Sequence, residues 1–586
     1  MGRPAGTRWH AWCWLATLAA CGPTPSATTT EDDASTSSST TAATSDTSGT
    51  TAAPTTTDAP GTTVEPTTTD APGTTAGPTT SDLPANCLEG DADINEHDTE
   101  AKFAALAGVE CITGHLSILN VDRPDLKGLE SLRVVGDYVG ITQSEFVSLA
   151  GLENLERVGH LGLTTLPNLT DISALANLQA ITNGGLNLAK IPITSLLPFH
   201  QLTHVDGALS IDSTGVASLA GLDALASVGT FVSITFNDDL TSLAGLDDLT
   251  TIGDFLLIRH NPGLLDLTGL GGLVSIGERV EIDDNDALQT IGPLAPATIG
   301  GDLRIFGNEV LADLAGLESL TSIGGKLEIL VNPALTAITS LTALQSADEI
   351  TIEHNDALVE ITGFGALAST NLVQIAENPA LSHVTGFGAL GGTSLVRIAN
   401  NPALDHVAGF DALTFVDTLE VWDNHSLATL AAFPALTQAV TVILARNPAL
   451  TSVTGLVKLA SANWVGFSEL GVTDLSALAS LTDTSLGISS NPALTSLAGL
   501  ENFATTEWLE IDGNPALTSL TAIQPGAGGS LTTALSLRIV DNAALPSCGA
   551  QALLDAIGPG PFVCVKDNLV DACTAQLPPC EPPPMP

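Results

Sequence analysis

The chain has 586 residues and carries 65 acidic side chains against 17 basic ones, a formal charge of -48 at pH 7. That balance argues against nucleic acid, whose affinity rests on Lys and Arg neutralising phosphate, and against direct docking on an anionic lipid surface. It suits a long Leu-rich body that must stay soluble, with weak association of divalent cations as a by-product. No apolar run approaches the roughly 20 residues of a membrane-spanning helix.

At the N-terminus Arg3 and Arg8 accompany a short apolar stretch from Trp9 to Ala20, interrupted by His10 and followed by Cys21. Leu18-Ala19-Ala20-Cys21 resembles the lipobox of bacterial lipoproteins. The resemblance implies a signal peptide over 1–20 that takes Cys13 with it, and a palmitate-type acyl anchor on Cys21 as the first mature residue. The alternative, an ordinary secretory signal, prefers a small residue three before the cut, where Leu18 stands. Gly22 follows the Cys; by resemblance to Gram-negative lipoproteins, the lack of Asp there implies the outer membrane rather than retention at the inner one.

Residues 21–85 are mostly Thr, Ser, Pro, Ala and Asp without Lys or Arg, and Thr55-Thr-Thr-Asp-Ala-Pro-Gly-Thr-Thr63 returns at Thr67 to Thr75. Such a segment has too little to bury to offset its ordering entropy, so it reads as a disordered linker that Pro and Thr stiffen toward extended forms. It serves either as a stalk lifting a folded body off the membrane or as a spacer of unimportant length.

Residues 86–115 form an N-terminal cap, bracketed by Cys87 and Cys111, that leads into the first strand at Gly114-His-Leu-Ser-Ile118. Residues 546–586 form a second, Cys-rich cap and tail containing Cys548, Cys564, Cys573 and Cys580. In an exported chain paired cysteines default to disulfides. Cys87–Cys111 is the local choice at one end, while the other four allow three pairings. A zinc site is the rival, but no His lies among the four and their spacing is not that of two CxxC pairs.

Between the caps, residues 116–545 repeat. Asn-Pro-Ala-Leu stands unaltered at Asn332, Asn378, Asn401, Asn447, Asn491 and Asn514, with variants at Asn261, Asn285, Asn355 and Asn542. From Asn237 the asparagines recur at a step of about 23 residues, the signature of a solenoid. One coil reads Leu-x-Ile-x-x-Asn-Pro-Ala-Leu-Thr-x-Leu-x-Gly-Leu-x-x-Leu-x-x-Ile-Gly-x. Leu-x-Ile has strand periodicity with both residues turned inward. The Asn leaves the strand where its amide can satisfy turn backbone groups, Pro fixes the turn, and the Gly before the next strand permits a tight corner. Inward residues from Ile118 to Ile539 count roughly nineteen strands and a ladder on the order of 90 Å long. The pattern breaks at Phe467, which no ladder Asn follows, and between Asn514 and Asn542, where residues 526–530 look like an inserted loop. The predicted fold is mainly β: a single right-handed leucine-rich-repeat β-solenoid with disulfide caps.

The entry Cys111-Ile-Thr-Gly114-His-Leu-Ser-Ile118 and the recurrent Leu-x-Gly-Leu-x-x-Leu-x-x-Ile-Gly-x-Leu-x-Ile unit resemble the receptor L-domain branch of leucine-rich-repeat proteins. That is the type found in insulin-receptor and epidermal-growth-factor-receptor ectodomains, and bacterial surface lipoproteins with such arrays look closest. The resemblance covers roughly residues 87 to 575. The chain departs from receptors in having more coils and neither kinase nor transmembrane helix, so hormone-type ligands do not carry over.

Chemical motifs are weak. Gly386-Phe-Gly388-Ala-Leu-Gly391 matches GxGxxG but has a sister one period earlier at Gly363 and reads as repeat filler. Asp91-Ala-Asp93-Ile-Asn95 starts like a calcium loop, but Glu96 stands where Gly is needed and Lys102 where the bidentate Glu belongs. Asp283-Asp284-Asn285-Asp286 is no stronger, and the sequence has no His-Glu-x-x-His or G-x-S-x-G. No catalytic residue, metal or cofactor is assigned. The more distinctive feature is aromatic. Beyond the leader the tryptophans are Trp422, Trp464 and Trp508, at +1, -3 and -3 from the inward Val421, Phe467 and Ile511. Period two puts all three on the exposed side of the strands. Phe306 and Leu330 share the +1 position, and Tyr138, Phe231 and Phe255 the -3 position. These residues are either a ligand-facing stripe suited to sugars or a protein loop or a cover over neighbouring coils. The sequence thus predicts a lipid-anchored, surface-exposed, non-enzymatic protein that binds a protein or glycan for recognition or adhesion. The alternative is a structural envelope spacer without a specific ligand.

Overall fold

In a computed structural model the described residues are 84–573, except 98, 293, 295 and 559–561, together with Cys580. The leader (1–20), Cys21 and nearly all of the 21–85 linker lie outside the described residues, as does the tail beyond Cys580.

Each coil contributes one strand of four to ten residues in which two inward apolar positions flank an outward one. In Val280–Asp283 the inward pair is Val280 and Ile282; in Leu303–Phe306 it is Leu303 and Ile305, and all four are fully buried. Successive strands pair parallel and in register, Val280 against Leu303 and Ile282 against Ile305, so every coil repeats the facing of the last. The side-chain period of two makes that register compulsory: a slip by one residue would turn the whole apolar set into solvent. A two-residue strand precedes nine of these, such as Thr251–Ile252 or Ser275–Ile276, and pairs the same way. On the far side of five coils a second small parallel sheet joins Ala337–Ile338, Glu360–Ile361, His383–Val384, His406–Val407 and Thr429–Leu430. The interior between is continuous Leu, Ile and Val, with a run of stacked rings at Phe364, Phe387 and Phe410, whose centroids are 5.0 and 4.8 Å apart. No single coil can bury its own apolar face; each is covered by its two neighbours. The corner glycine is a packing requirement as well, because a Cβ on Gly277 would run into the carbonyl oxygen of Gly253 one coil away.

The asparagines from Asn237 onward form one buried column. The N–H of Asn355 donates to Asn378 Oδ1 at 3.1 Å, and that of Asn378 to Asn401 Oδ1 at 3.1 Å. Asn378 Nδ2 donates to the carbonyls of Ala376 in its own coil, 2.8 Å, and of Ile352 in the preceding one, 3.0 Å. Each amide thereby satisfies backbone groups of two coils where the chain turns out of the strand. The residue just before it takes a left-handed conformation in coil after coil, as at Asp284 (φ 52°), Val331 (φ 57°) and Arg446 (φ 52°). That conformation costs roughly 1 kcal/mol for a residue with a Cβ, and the hydrogen bonds it sets up offset it. The column starts at Thr214, whose hydroxyl donates to Asn237 Oδ1 at 2.7 Å. At the expected break Leu470 replaces the amide, yet its N–H still donates to Asn491 Oδ1 at 3.0 Å.

Two features extend past the sequence reading. The strand ladder runs into both caps: Ala92–Asn95 pairs with Leu116–Leu119, and Phe562–Lys566 pairs with Thr533–Val540. The array therefore has about 21 turns, not nineteen. Asn568 also joins the amide column, accepting the Asn542 N–H at 3.1 Å, although it lacks the Pro-Ala-Leu that marks the others. The ends are closed by the helices Thr99–Leu106 and Ser547–Ile557, which bury Phe103 and Leu106, and Ala550 and Leu553. Three disulfides pin them: Cys87–Cys111, Cys548–Cys573 and Cys564–Cys580, with Cα separations of 4.4, 4.9 and 4.3 Å. Of the three pairings open at the C-terminal end, this is the one the fold adopts.

Replacing one column amide should be expensive because its partners are buried. Asn378→Ala leaves the Asn355 N–H and the Ile352 and Ala376 carbonyls without their partners, and should cost about 3 kcal/mol or more. Denaturant melts of the variant check this; a loss below about 1 kcal/mol would mean that the column contributes little.

Candidate functional site

The inward positions and the amide column barely change from coil to coil, whereas the outward strand positions vary widely along the ladder, with only short repeats such as Gly466 beside Gly487. Taking the inward Ile of each strand as origin, three outward columns run along the face, at -3, -1 and +1. Over the coils of Ile258, Ile282, Ile305 and Ile329 the +1 column reads Arg259, Asp283, Phe306, Leu330 and the -1 column Leu257, Glu281, Arg304, Glu328.

All three tryptophans lie on this face and are half-buried, but they are not brought together. Trp464 aligns with Thr441 and Ser485, and Trp508 with Ser536, in the -3 column; Trp422 aligns with Ala399 and Ala445 in the +1 column. The four-residue offset along the strand separates the columns by roughly 13 Å. The guanidinium of Arg446 lies 5.3 Å from the Trp422 ring centre while its nitrogens grip Asp423 at 2.6 and 2.7 Å. The Trp464 indole lies down on the sheet over two glycines. A Cβ on Gly466 would be 3.0 Å from Trp464 Nε1, and one on Gly487, a coil further, 2.9 Å from Cζ2. The same device recurs where Tyr138 lies over Gly140 and His160 over Gly162. An aromatic ring thus covers backbone that the missing side chain would bare, and presents its other face outward. Phe306 and Leu330 are neighbours in register, with Arg304 4.6 Å above the Phe306 ring.

A second constellation escaped the sequence reading. Three of the chain's eleven arginines, Arg259, Arg279 and Arg304, occupy three successive coils of this face. Arg279 stacks 4.6 Å over Phe255, which stacks in turn on Phe231 with centroids 4.6 Å apart, and Arg279 Nε holds Glu281 Oε1 at 2.7 Å. Under Arg259 and Arg304 lies Asp283, its side chain fully covered although it points to the outward side. Arg259 Nε is 3.4 Å from Oδ2 and Arg304 Nε 3.8 Å from Oδ1, and neither carboxylate oxygen is hydrogen-bonded by any described residue. Burial pushes the Asp283 carboxyl up to about 6, the pull of Arg304 and Arg259 only partly opposing it. The sequence signals here were the outward Phe231, Phe255 and Phe306, and Asp283-Asp284-Asn285-Asp286, weighed as a calcium loop; Asn285 is instead an amide of the buried column.

The other motifs resolve into structure. Asp91 Oδ1 accepts the His115 N–H at 3.1 Å and Asp93 Oδ1 meets His115 Nε2 at 3.2 Å, so both carboxylates serve the capping turn. Residues 386–391 connect His383–Val384 to the strand Gly392–Ala399, with no helix between them. Among the described residues one cluster, Cys548, Asp571 and Cys573, has metal-ligating atoms within reach of one another. Its two sulfurs are joined in a disulfide, and its carboxylate accepts the Cys548 and Cys573 N–H groups, each at 2.9 Å.

No family model and no curated protein matches the chain. Solved structures similar to it include an internalin from Listeria monocytogenes, 16% identical, covering 62% of this chain and 82% of that one with a TM-score of 0.28. The LRIM1/APL1C complex is 15% identical over 58% of this chain and 57% of that one, TM-score 0.29. The Drosophila Toll–Spatzle complex is 13% identical over 71% and 56%, TM-score 0.30. This chain thus spans little more than half the length of the latter two. Superpositions this loose transfer no function, and the architecture stands on the strand ladder itself.

Asp283→Asn tests the strain in the arginine cluster. The native state holds the Asp283 proton more tightly than the unfolded chain, so this group lowers stability as pH rises from about 4 to about 6. The amide should therefore stabilise the protein by about 2 kcal/mol at pH 7.5 and by almost nothing near pH 4. Melts at the two pH values read the difference; destabilisation at pH 7.5 would show the ion pairs outweighing the burial.

Proposed function

We propose that this chain is a non-enzymatic binding protein of the cell envelope, anchored by lipid on Cys21 in the outer membrane and lifted from it by the 21–85 stalk. Its strand face engages a protein or glycan partner in recognition or adhesion. The observation that carries this reading is the contrast between the two sides of the strands. The inward columns repeat because packing demands it, while outward positions such as Trp422, Trp464, Arg304 and Asp283 differ coil by coil. A spacer needs no such variety. Half-buried aromatic rings laid flat, Trp464 above all, are large preorganised contact surfaces that lose little entropy on binding. Function on such a scaffold resides in the site rather than in the fold.

Trp422→Ala, Trp464→Ala and Trp508→Ala combined should lower retention on partner cells or envelope glycans about tenfold or more, with the melting temperature held within a few degrees. Unchanged retention would favour the spacer. For the anchor, cells fed an alkyne-tagged fatty acid should label the wild-type chain and leave Cys21→Ala unlabelled and released from the membrane fraction. Equal labelling of both would remove the lipid assignment.

A further inference from the structure

Taking the strand face as a binding surface, as proposed above, we infer that its coils from Leu186 to Phe306 hold a site for an acidic saccharide. Arg259, Arg279 and Arg304 take the carboxylate, and Phe231 with the short polar floor beside it takes the sugar rings.

The order of side chains along the ladder supports this. Backbone hydrogen bonds place Gly185, Ala208, Phe231, Phe255 and Arg279 one after another in the -3 column, through Leu186 N–H to Ala208 O at 2.8 Å, Leu209 to Phe231 at 2.9 Å, Val232 to Phe255 at 3.0 Å and Leu256 to Arg279 at 3.0 Å. One face of Phe231 lies on Phe255, with only 2° between the ring planes. On its other side the column drops to Ala208 and Gly185, which leaves a step one ring deep. Beside that step the -1 column offers Asn187, Ser210 and Ser233, and the +1 column Asp212 and Thr235, short side chains carrying amide, hydroxyl and carboxylate groups. Arg279 stands two coils beyond Phe231, roughly 10 Å, about the span of two linked sugar rings. Stacking on Phe255 and Phe306 holds the guanidiniums of Arg279 and Arg304 in fixed planes, the geometry that pairs with a planar carboxylate.

The surroundings restrict the ligand. Glu281 lies against Arg279 and Arg259, Glu328 adjoins Arg304 in register and Asp302 follows Arg279 in the -3 column, so a dense polyanion would be repelled while a single carboxylate per sugar is tolerated. The flat polar floor offers hydroxyl partners rather than sockets for the apolar anchors of a peptide.

Asp283 gives the site its signature. It is buried, unbonded and set between two of the three arginines, so its ionised form competes with the ligand for the same guanidiniums. The charged groups acting on it are Arg259 from the preceding coil, Glu281 and Asp284 on its own, and Arg304 from the next, while His260 of the preceding coil lies against Asp284, 3.6 Å from its Oδ2. Because its carboxyl titrates near 6, the competitor is neutralised as pH falls through that value, while a uronate ligand stays ionised. Binding therefore takes up a proton and tightens in mild acid.

Calorimetry on the detergent-solubilised full chain with trigalacturonate tests this, with galactotriose and a blocked Asp-Gly-Asp peptide as the other arms. Affinity for trigalacturonate should rise about tenfold from pH 7.5 to pH 5.5. Asp283→Asn should bind at pH 7.5 as the wild type does at pH 5.5, without a pH slope. Arg279→Gln, at an exposed position that leaves folding intact, and Phe231→Ala should each weaken binding about tenfold. No binding by the wild type at either pH, equal binding of galactotriose or of the peptide, or a pH slope retained in Asp283→Asn would each overturn the site. Failure here with loss of cell retention in the triple Trp variant would leave the broader reading standing; failure of both would end it.

Discussion

From Asn237 onward the solenoid depends on a carboxamide placed where all but one of its strands end. A strand leaving a buried sheet strands backbone groups in an apolar interior, and water cannot reach them. An Asn side chain has an acceptor and two donor hydrogens within one small plane. In most coils of the column it accepts from the N–H of the coil before and donates to carbonyls of its own coil and of its predecessor, as Asn401 does toward Asn378, Ala399 and Ile375. Because every amide is both served and serving, the column closes only if all coils share one register. The left-handed residue at this bend also occurs in coils without the Asn, as at Thr165 and Glu469, and turns the chain so that the side chain after it points inward.

That constraint divides the molecule into a side that cannot vary and a side that is free to. Inside, Leu and Ile repeat because each is covered by the same atoms of its neighbours. Outside, the ladder merely sets addresses, about 4.8 Å apart between strands and two residues apart along them, and any side chain can occupy one. Asp283 is the exception that draws notice, a carboxylate at an outward address covered by two arginines that hold it without a good hydrogen bond. A buried charge so poorly paired does not help the fold. Its setting is better understood as part of a surface arranged for something else.

Much of the fold was legible because the signal is local and repeated. Leu-x-Ile followed by Asn-Pro-Ala-Leu states strand, bend and turn within a dozen residues, and the interval between copies states that the coils stack. The end coils were missed for the same reason: Ile94 and Val565 lie in segments where the motif is worn and cysteines draw attention to a cap. The candidate site was less legible. Period two placed Trp464 outward, but that it lies flat depends on Gly466 in its own strand and Gly487 in the next. Arg259, Arg279 and Arg304 look like unrelated charges until the register sets them on neighbouring strands.

By itself the sequence determined the architecture: a mainly β array of leucine-rich coils, with a column of asparagines at the bends from Asn237 onward and cysteines at the ends. Periodicity and side-chain volume suffice for that, since every coil must satisfy the same local chemistry. Only the tertiary structure decided the Cys548–Cys573 and Cys564–Cys580 pairing, the entry of Asn568 into the column, the posture of Trp464 and the burial of Asp283. Each of these depends on what the adjoining coil places against it, roughly one repeat away in sequence and about 5 Å away in space.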